Sequence, residues 1–109
     1  MPTVPVKLLT VVAESVLADR LSRAILAAGA LGYTLTPAKG VGARSRRSST
    51  LGGDNVRLEV LADEATARRL LQMVTDQWFP QCAVVAWLAD VEVVRGEKYA
   101  VPPKQGPGG

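Results

Sequence analysis

At 109 residues the chain has room for one domain around one core, and 48% hydrophobic content can fill it, with aliphatic side chains because aromatics make up only 5%. Histidine is absent and Cys82 is the single cysteine, which excludes histidine-based triads, histidine metal sites, an internal disulfide and any CxxC metal or redox pair, and argues against an enzyme. The net charge is +3, but Lys39, Arg44, Arg46, Arg47 and Arg57 face only Asp54 within residues 39–57, a net of +4, so basic character gathers in one segment as a local anion site would require.

Residues 6-VKLLTVVA-13 are β-branched and apolar, with Lys7 and Thr10 as polar breaks, and read as a mostly buried strand. From Ser15 the period changes. Leu17, Leu21, Ala24, Ile25 and Ala28 fall at helical spacing, and Gly29 suits a left-handed stop, so a helix is expected from Ser15 to Ala28. Residues 32-GYTLTPAK-39 alternate as a half-buried strand, with Pro37 placed near its end or on a sheet edge.

The basic segment 39-KGVGARSRRSST-50 follows, and 52-GGDN-55 turns the chain back. In 56-VRLEVLA-62, Val56, Leu58 and Val60 take one face and Arg57, Glu59 and Leu61 the other. Asp63 is the expected N-cap of a second helix striped by Ala67, Leu70, Leu71, Val74 and Trp78 and broken by Pro80. In 83-AVVAWLADVEVV-94 the first half is continuously apolar, as a central strand would be, and the second half alternates. The Pro- and Gly-rich residues 100–109 are expected to be a flexible tail on a domain of residues 1–99.

The order β-α-β-β-α-β predicts an α+β, ferredoxin-like domain, a four-stranded antiparallel sheet with two helices on one face. The other sheet face is also apolar on the first and last strands, which predicts a homo-oligomer that buries it against copies of the chain. The fifteen or so residues joining two adjacent strands far exceed a tight turn and are expected to bind something. Arg44 and Arg47 can each present a planar fork to phosphate, Ser48 and Ser49 add donors, and Gly40 and Gly42 let backbone amides approach an anion. On residues alone this is a phosphate or carboxylate cradle. A solvated basic loop, or a contact for nucleic acid or an acidic protein, remains open. No Walker GKS/GKT follows, Ser45 stands where a dinucleotide fingerprint needs its third glycine, and no aromatics are interleaved for base stacking.

The run 29-GALGYTLTPAKGVGARSRRSS-49, with 56-VRLEVLA-62 and the closing Glu92, Val93 and Gly96, resembles the PII signalling superfamily, and within it the PII-like proteins of the SbtB type, over residues 6 to 99. The resemblance implies a homotrimer with adenine nucleotide sites for cyclic AMP, AMP, ADP or ATP in the clefts between subunits. The basic segment, about residues 40–55, corresponds to the T-loop. By position, Gly40 and Gly42 shape the loop base, Arg44 and Arg47 hold phosphate with Ser48 and Ser49 beside them, and Thr34 and the run from Glu59 to Leu61 line the nucleoside pocket.

The implied partner is the bicarbonate transporter SbtA of the carbon-concentrating mechanism. That places a soluble, cytoplasmic, non-enzymatic sensor at the inner face of the membrane, with nucleotide as regulatory ligand and neither cofactor nor metal. The C-terminal cysteine pair of some SbtB proteins is missing, so thiol control is not implied. The glycine-rich B-loop of ordinary PII proteins is replaced by 80-PQCAVV-85, and the loop lacks a tyrosine, so 2-oxoglutarate sensing and uridylylation are not implied either. Alternatives are a carboxysome-associated PII-like protein that binds bicarbonate with adenine nucleotide, a nucleic-acid-binding module using the arginines, and slow phosphate release from ATP.

Overall fold

The structure is a computed structural model and describes residues 1–40 and 54–99. The elements are β1 (Val4–Glu14), a 3-10 turn (Ser15–Leu17), α1 (Ala18–Ala27), β2 (Thr34–Ala38), β3 (Asn55–Ala62), α2 (Glu64–Gln77), β4 (Val85–Val93) and a closing 3-10 turn (Glu97–Tyr99). The strands form one sheet in the order β2-β3-β1-β4, every neighbouring pair antiparallel. This is the ferredoxin-like arrangement expected from the element order.

The core lies between one sheet face and both helices. Leu9, Val11 and Ala13 of β1 and Leu58 and Val60 of β3 meet Leu17, Leu21 and Ile25 from the first helical segment and Ala67, Leu70 and Val74 from α2. The stripes on both helices therefore bury as their spacing demands. Gly29 closes α1 at φ +118°, where a Cβ is disfavoured.

The expected helix from Ser15 opens instead with a tight 3-10 turn. The Ser15 amide donates to the Asp54 carbonyl at 3.0 Å, tying the end of β1 to the chain entering β3. Asn55, read from the sequence as part of a turn, is the buried first residue of β3.

The last strand needs a larger correction. Its apolar first half suggested a central position, but β4 is an outer strand, with Val85 46% and Trp87 39% exposed. Composition reports how apolar a strand is, whereas its place in the sheet follows from which strands it pairs with. Pro37 sits near the end of the other outer strand, β2, where a missing amide is tolerated.

Asp63 caps α2 as its position predicts, accepting a hydrogen bond from the Thr66 amide at 3.1 Å. Partial burial pushes its pKa up, but the hydrogen bonds from Thr66, with those from its own amide and that of Ala65, outweigh that and hold it below the ordinary value of 3.8. The hydrogen bond and charge of Lys7, 2.5 Å away, likewise hold Asp90 below 3.8. A depressed folded pKa contributes stability that is present above the unfolded value and is lost as pH falls through the folded one. Thermal stability should therefore fall below about pH 4. Asp63→Ala should cost about 1 kcal/mol at neutral pH, and melts from pH 2 to 6 should show a shallower acid limb in that variant. An unchanged limb in both Asp63→Ala and Asp90→Asn would show that other carboxylates control acid stability.

Candidate functional site

Because paired residues in neighbouring strands point to the same side, the register settles which side chains share the face opposite the helices. Thr34 of β2 lies opposite Glu59 of β3, Glu59 opposite Thr10 of β1, and Thr10 opposite Trp87 of β4. One row thus crosses the whole sheet. Leu61, two residues beyond Glu59, joins Leu8 and Ala89 in the row on one side. Thr36, Arg57, Val12 and Val85 form the row on the other.

Three sequence-predicted site residues, Thr34, Glu59 and Leu61, are therefore brought together on this open face. Thr34 is exposed, and Glu59 and Leu61 are half-buried. Three further residues emerge here that the site prediction did not include. Thr10 is 1% exposed, screened by its neighbours although no helix covers it. The Arg57 guanidinium lies 5.9 Å from the centre of the Trp87 ring. The only hint of Thr10 in the sequence was a polar residue interrupting an apolar strand. Arg57 counted only toward the basic segment, and nothing local pairs it with Trp87, because the two sit on different strands and meet only through the register.

The same strands flank the basic segment in sequence. β2 runs directly into Lys39 and Gly40, and Asp54 leads into β3. Ser15, Pro37, Ala38, Lys39, Asp54 and Asn55 line a cleft of about 380 Å³ at this junction. Gly40 is exposed, and no described atom lies within 4 Å of where its Cβ would stand. Gly42, Arg44, Arg47, Ser48 and Ser49 lie outside the described residues.

The chain matches the family described as "Nitrogen regulatory protein P-II" over residues 6–98. It belongs to the P-II family. A PII-like signalling protein from Thermus thermophilus is 46% identical, with a TM-score of 0.78 over 91% of this chain and 99% of that one. CPII from Thiomonas intermedia, solved with ADP, AMP and acetate, shares the fold at 20% identity, with a TM-score of 0.77 over 93% of this chain and 100% of that one. CPII with ADP and bicarbonate gives 20% identity and a TM-score of 0.76 over 90% and 97%.

The P-II fold thus sets a polar row beside apolar surface on the two strands that flank the basic segment. The Glu59 carboxylate can accept hydrogen bonds from amino or hydroxyl groups, Thr34 and Thr36 can donate or accept, and Leu61 and Leu8 offer a flat apolar patch. Among the described residues no group of three histidine, cysteine or acidic side chains converges to hold a metal.

Proposed function

We propose that this P-II chain is a homotrimeric sensor of the SbtB type, binding an adenine nucleotide where the open face of one subunit meets the next. Thr34, Glu59 and Leu61 would hold the nucleoside. Gly40, Gly42, Arg44, Arg47, Ser48 and Ser49 would receive the phosphates. The observation that carries this reading is the direct opposition of Thr34 and Glu59 on the two strands from which the basic loop springs. A ligand held by both strands fixes both ends of the loop, and a ligand that favours one loop conformation shifts the population toward it.

In this reading cyclic AMP, AMP, ADP and ATP differ in the charge they bring to Arg44 and Arg47, and the loop signals that difference to a partner. The partner, by the SbtB resemblance, is the bicarbonate transporter SbtA, which would bring a cytoplasmic sensor to the inner face of the membrane. The domain would end near Tyr99, with residues 100–109 as a tail outside the nucleotide site. The role is regulatory, without a reaction of its own.

The ligand-bound CPII structures support the choice of ligand, and the one with ADP and bicarbonate also favours a second reading, in which bicarbonate occupies the basic cradle beside the nucleotide. Calorimetric titration with the four nucleotides, each with and without bicarbonate, separates the two. A charge-assisted hydrogen bond contributes about 1.5–3 kcal/mol. Arg44→Ala and Arg47→Ala should therefore each weaken nucleotide binding by roughly 10- to 100-fold with assembly intact. Equal affinity in variant and wild type would overturn the assignment of the cradle.

A further inference from the structure

Among the described residues, Arg57 is the one basic side chain that the register places on the open face of the sheet. It is exposed, and within those residues neither a hydrogen bond nor an ion pair engages it. Arg23 and Arg68 differ, each being committed to a carboxylate four residues earlier on its own helix. What Arg57 meets is the Trp87 ring, 5.9 Å away. The face of a ring attracts the cation, but it leaves the N–H edge of the guanidinium open to an acceptor. The acceptor that such an edge fits is an oxyanion, through two parallel charge-assisted hydrogen bonds.

The position of Arg57 along β3 narrows the choice of anion. Thr34 and Glu59, the pair assigned above to the nucleoside, form one row, and Leu61 extends the nucleoside side beyond it. Thr36 and Arg57 form the next row in the direction of the basic segment, and Ala38 and Asn55 the last. Successive rows on one face lie roughly 7 Å apart. A nucleotide with its base on the first row and its outer phosphates at the basic segment has to cross the second. One such step spans the ribose, so the group that lies over Arg57 is the first phosphate.

We propose that Arg57, with Thr36 opposite it, receives the α-phosphate of the bound nucleotide, while the basic segment reads the phosphates beyond. The inference rests on the nucleotide reading above and deepens it by one subsite. Cyclic AMP, AMP, ADP and ATP all carry this phosphate. Arg57 therefore supplies affinity common to the four, and the arginines of the basic segment supply what differs among them. The Trp87 ring holds the fork in place, so less freedom is lost when the ligand arrives. Glu59 and Arg57, opposite charges in adjacent rows, also set the direction of the ligand. A phosphate is repelled from the nucleoside row and drawn to the next one, which excludes the reversed pose.

The phosphate count of the ligand tests the subsite. Calorimetric titration with adenosine, AMP, ADP and ATP would compare the wild type, Arg57→Gln and Arg23→Gln, the last a surface arginine of α1, with circular dichroism to confirm the fold. Arg57→Gln should weaken AMP, ADP and ATP by one similar factor, roughly 10- to 100-fold, and Arg23→Gln should weaken none of them. Adenosine, which lacks phosphate, should bind all three proteins alike. Wild-type affinity in Arg57→Gln, or an equal loss for adenosine, would overturn the subsite while leaving the nucleotide reading standing. A loss that grows from AMP to ATP would move Arg57 to the outer phosphates and overturn it as well. An equal loss in Arg23→Gln would reduce the effect to net charge, with the same consequence. A wild type that binds none of the three nucleotides would overturn the nucleotide reading itself.

Discussion

Leu9→Ala is expected to destabilise the domain by about 3–4 kcal/mol. Leu9 is fully buried at the middle of β1, one of the two strands paired on both sides, opposite Val60 of β3 and Leu88 of β4. Helix residues cover it from above, and the continuous sheet lies below. The surroundings can collapse only by moving paired backbone, so much of the cavity should persist. Domains of this kind hold a total of about 5–15 kcal/mol, so the loss is a large fraction of the whole. A fall in the melting temperature of roughly 15 °C follows for a chain near this size. Urea unfolding at fixed protein concentration is the appropriate measurement, because assembly itself raises apparent stability. A loss below about 1 kcal/mol would mean that the core relaxes around the site and that close packing at β1 is not what holds the sheet.

Trp87→Ala is expected to leave the monomer folded and to weaken self-association. The indole is 39% exposed on an outer strand, so its removal opens no closed cavity. It is also the largest apolar side chain that the register places on the open face, and it carries the Arg57 guanidinium. Tryptophan and arginine at the centre of an interface are the residues that most often dominate its energy, at about 2 kcal/mol or more each when truncated. That corresponds to roughly a 30-fold or greater loss of affinity per interface. A dilution series followed by sedimentation reads the shift directly. Trp78 remains as the sole tryptophan, and its fluorescence reports whether the helix layer is intact. Unchanged assembly in Trp87→Ala would mean that copies of the chain do not meet on this face.

Much of the fold was legible in local sequence patterns. The two helical stripes, the clean alternation of Val56, Leu58 and Val60, the cap at Asp63 and the left-handed stop at Gly29 each appear where the residues indicate. Each depends on side chains within a few positions of one another, and local periodicity and cap chemistry carry that information. The tight first turn at Ser15 and the early start of β3 at Asn55 did not appear in those patterns. Both lie beside a hydrogen bond between Ser15 and Asp54, 39 residues apart in sequence.

The candidate site divides along the same line. The sequence by itself determined that positive charge gathers between two adjacent strands, that the chain has the residues for an anion cradle and lacks those for histidine chemistry, and that Glu59 and Leu61 share a strand face. Only the tertiary structure decided that β4 lies at the edge, that Thr34 faces Glu59, that Thr10 is buried between Glu59 and Trp87, and that Arg57 reaches to that ring. The physical reason is register. An alternating strand fixes which residues share a side, but which residue lies opposite which depends on pairing between strands distant in sequence, and a slip of one position would send every side chain to the other face.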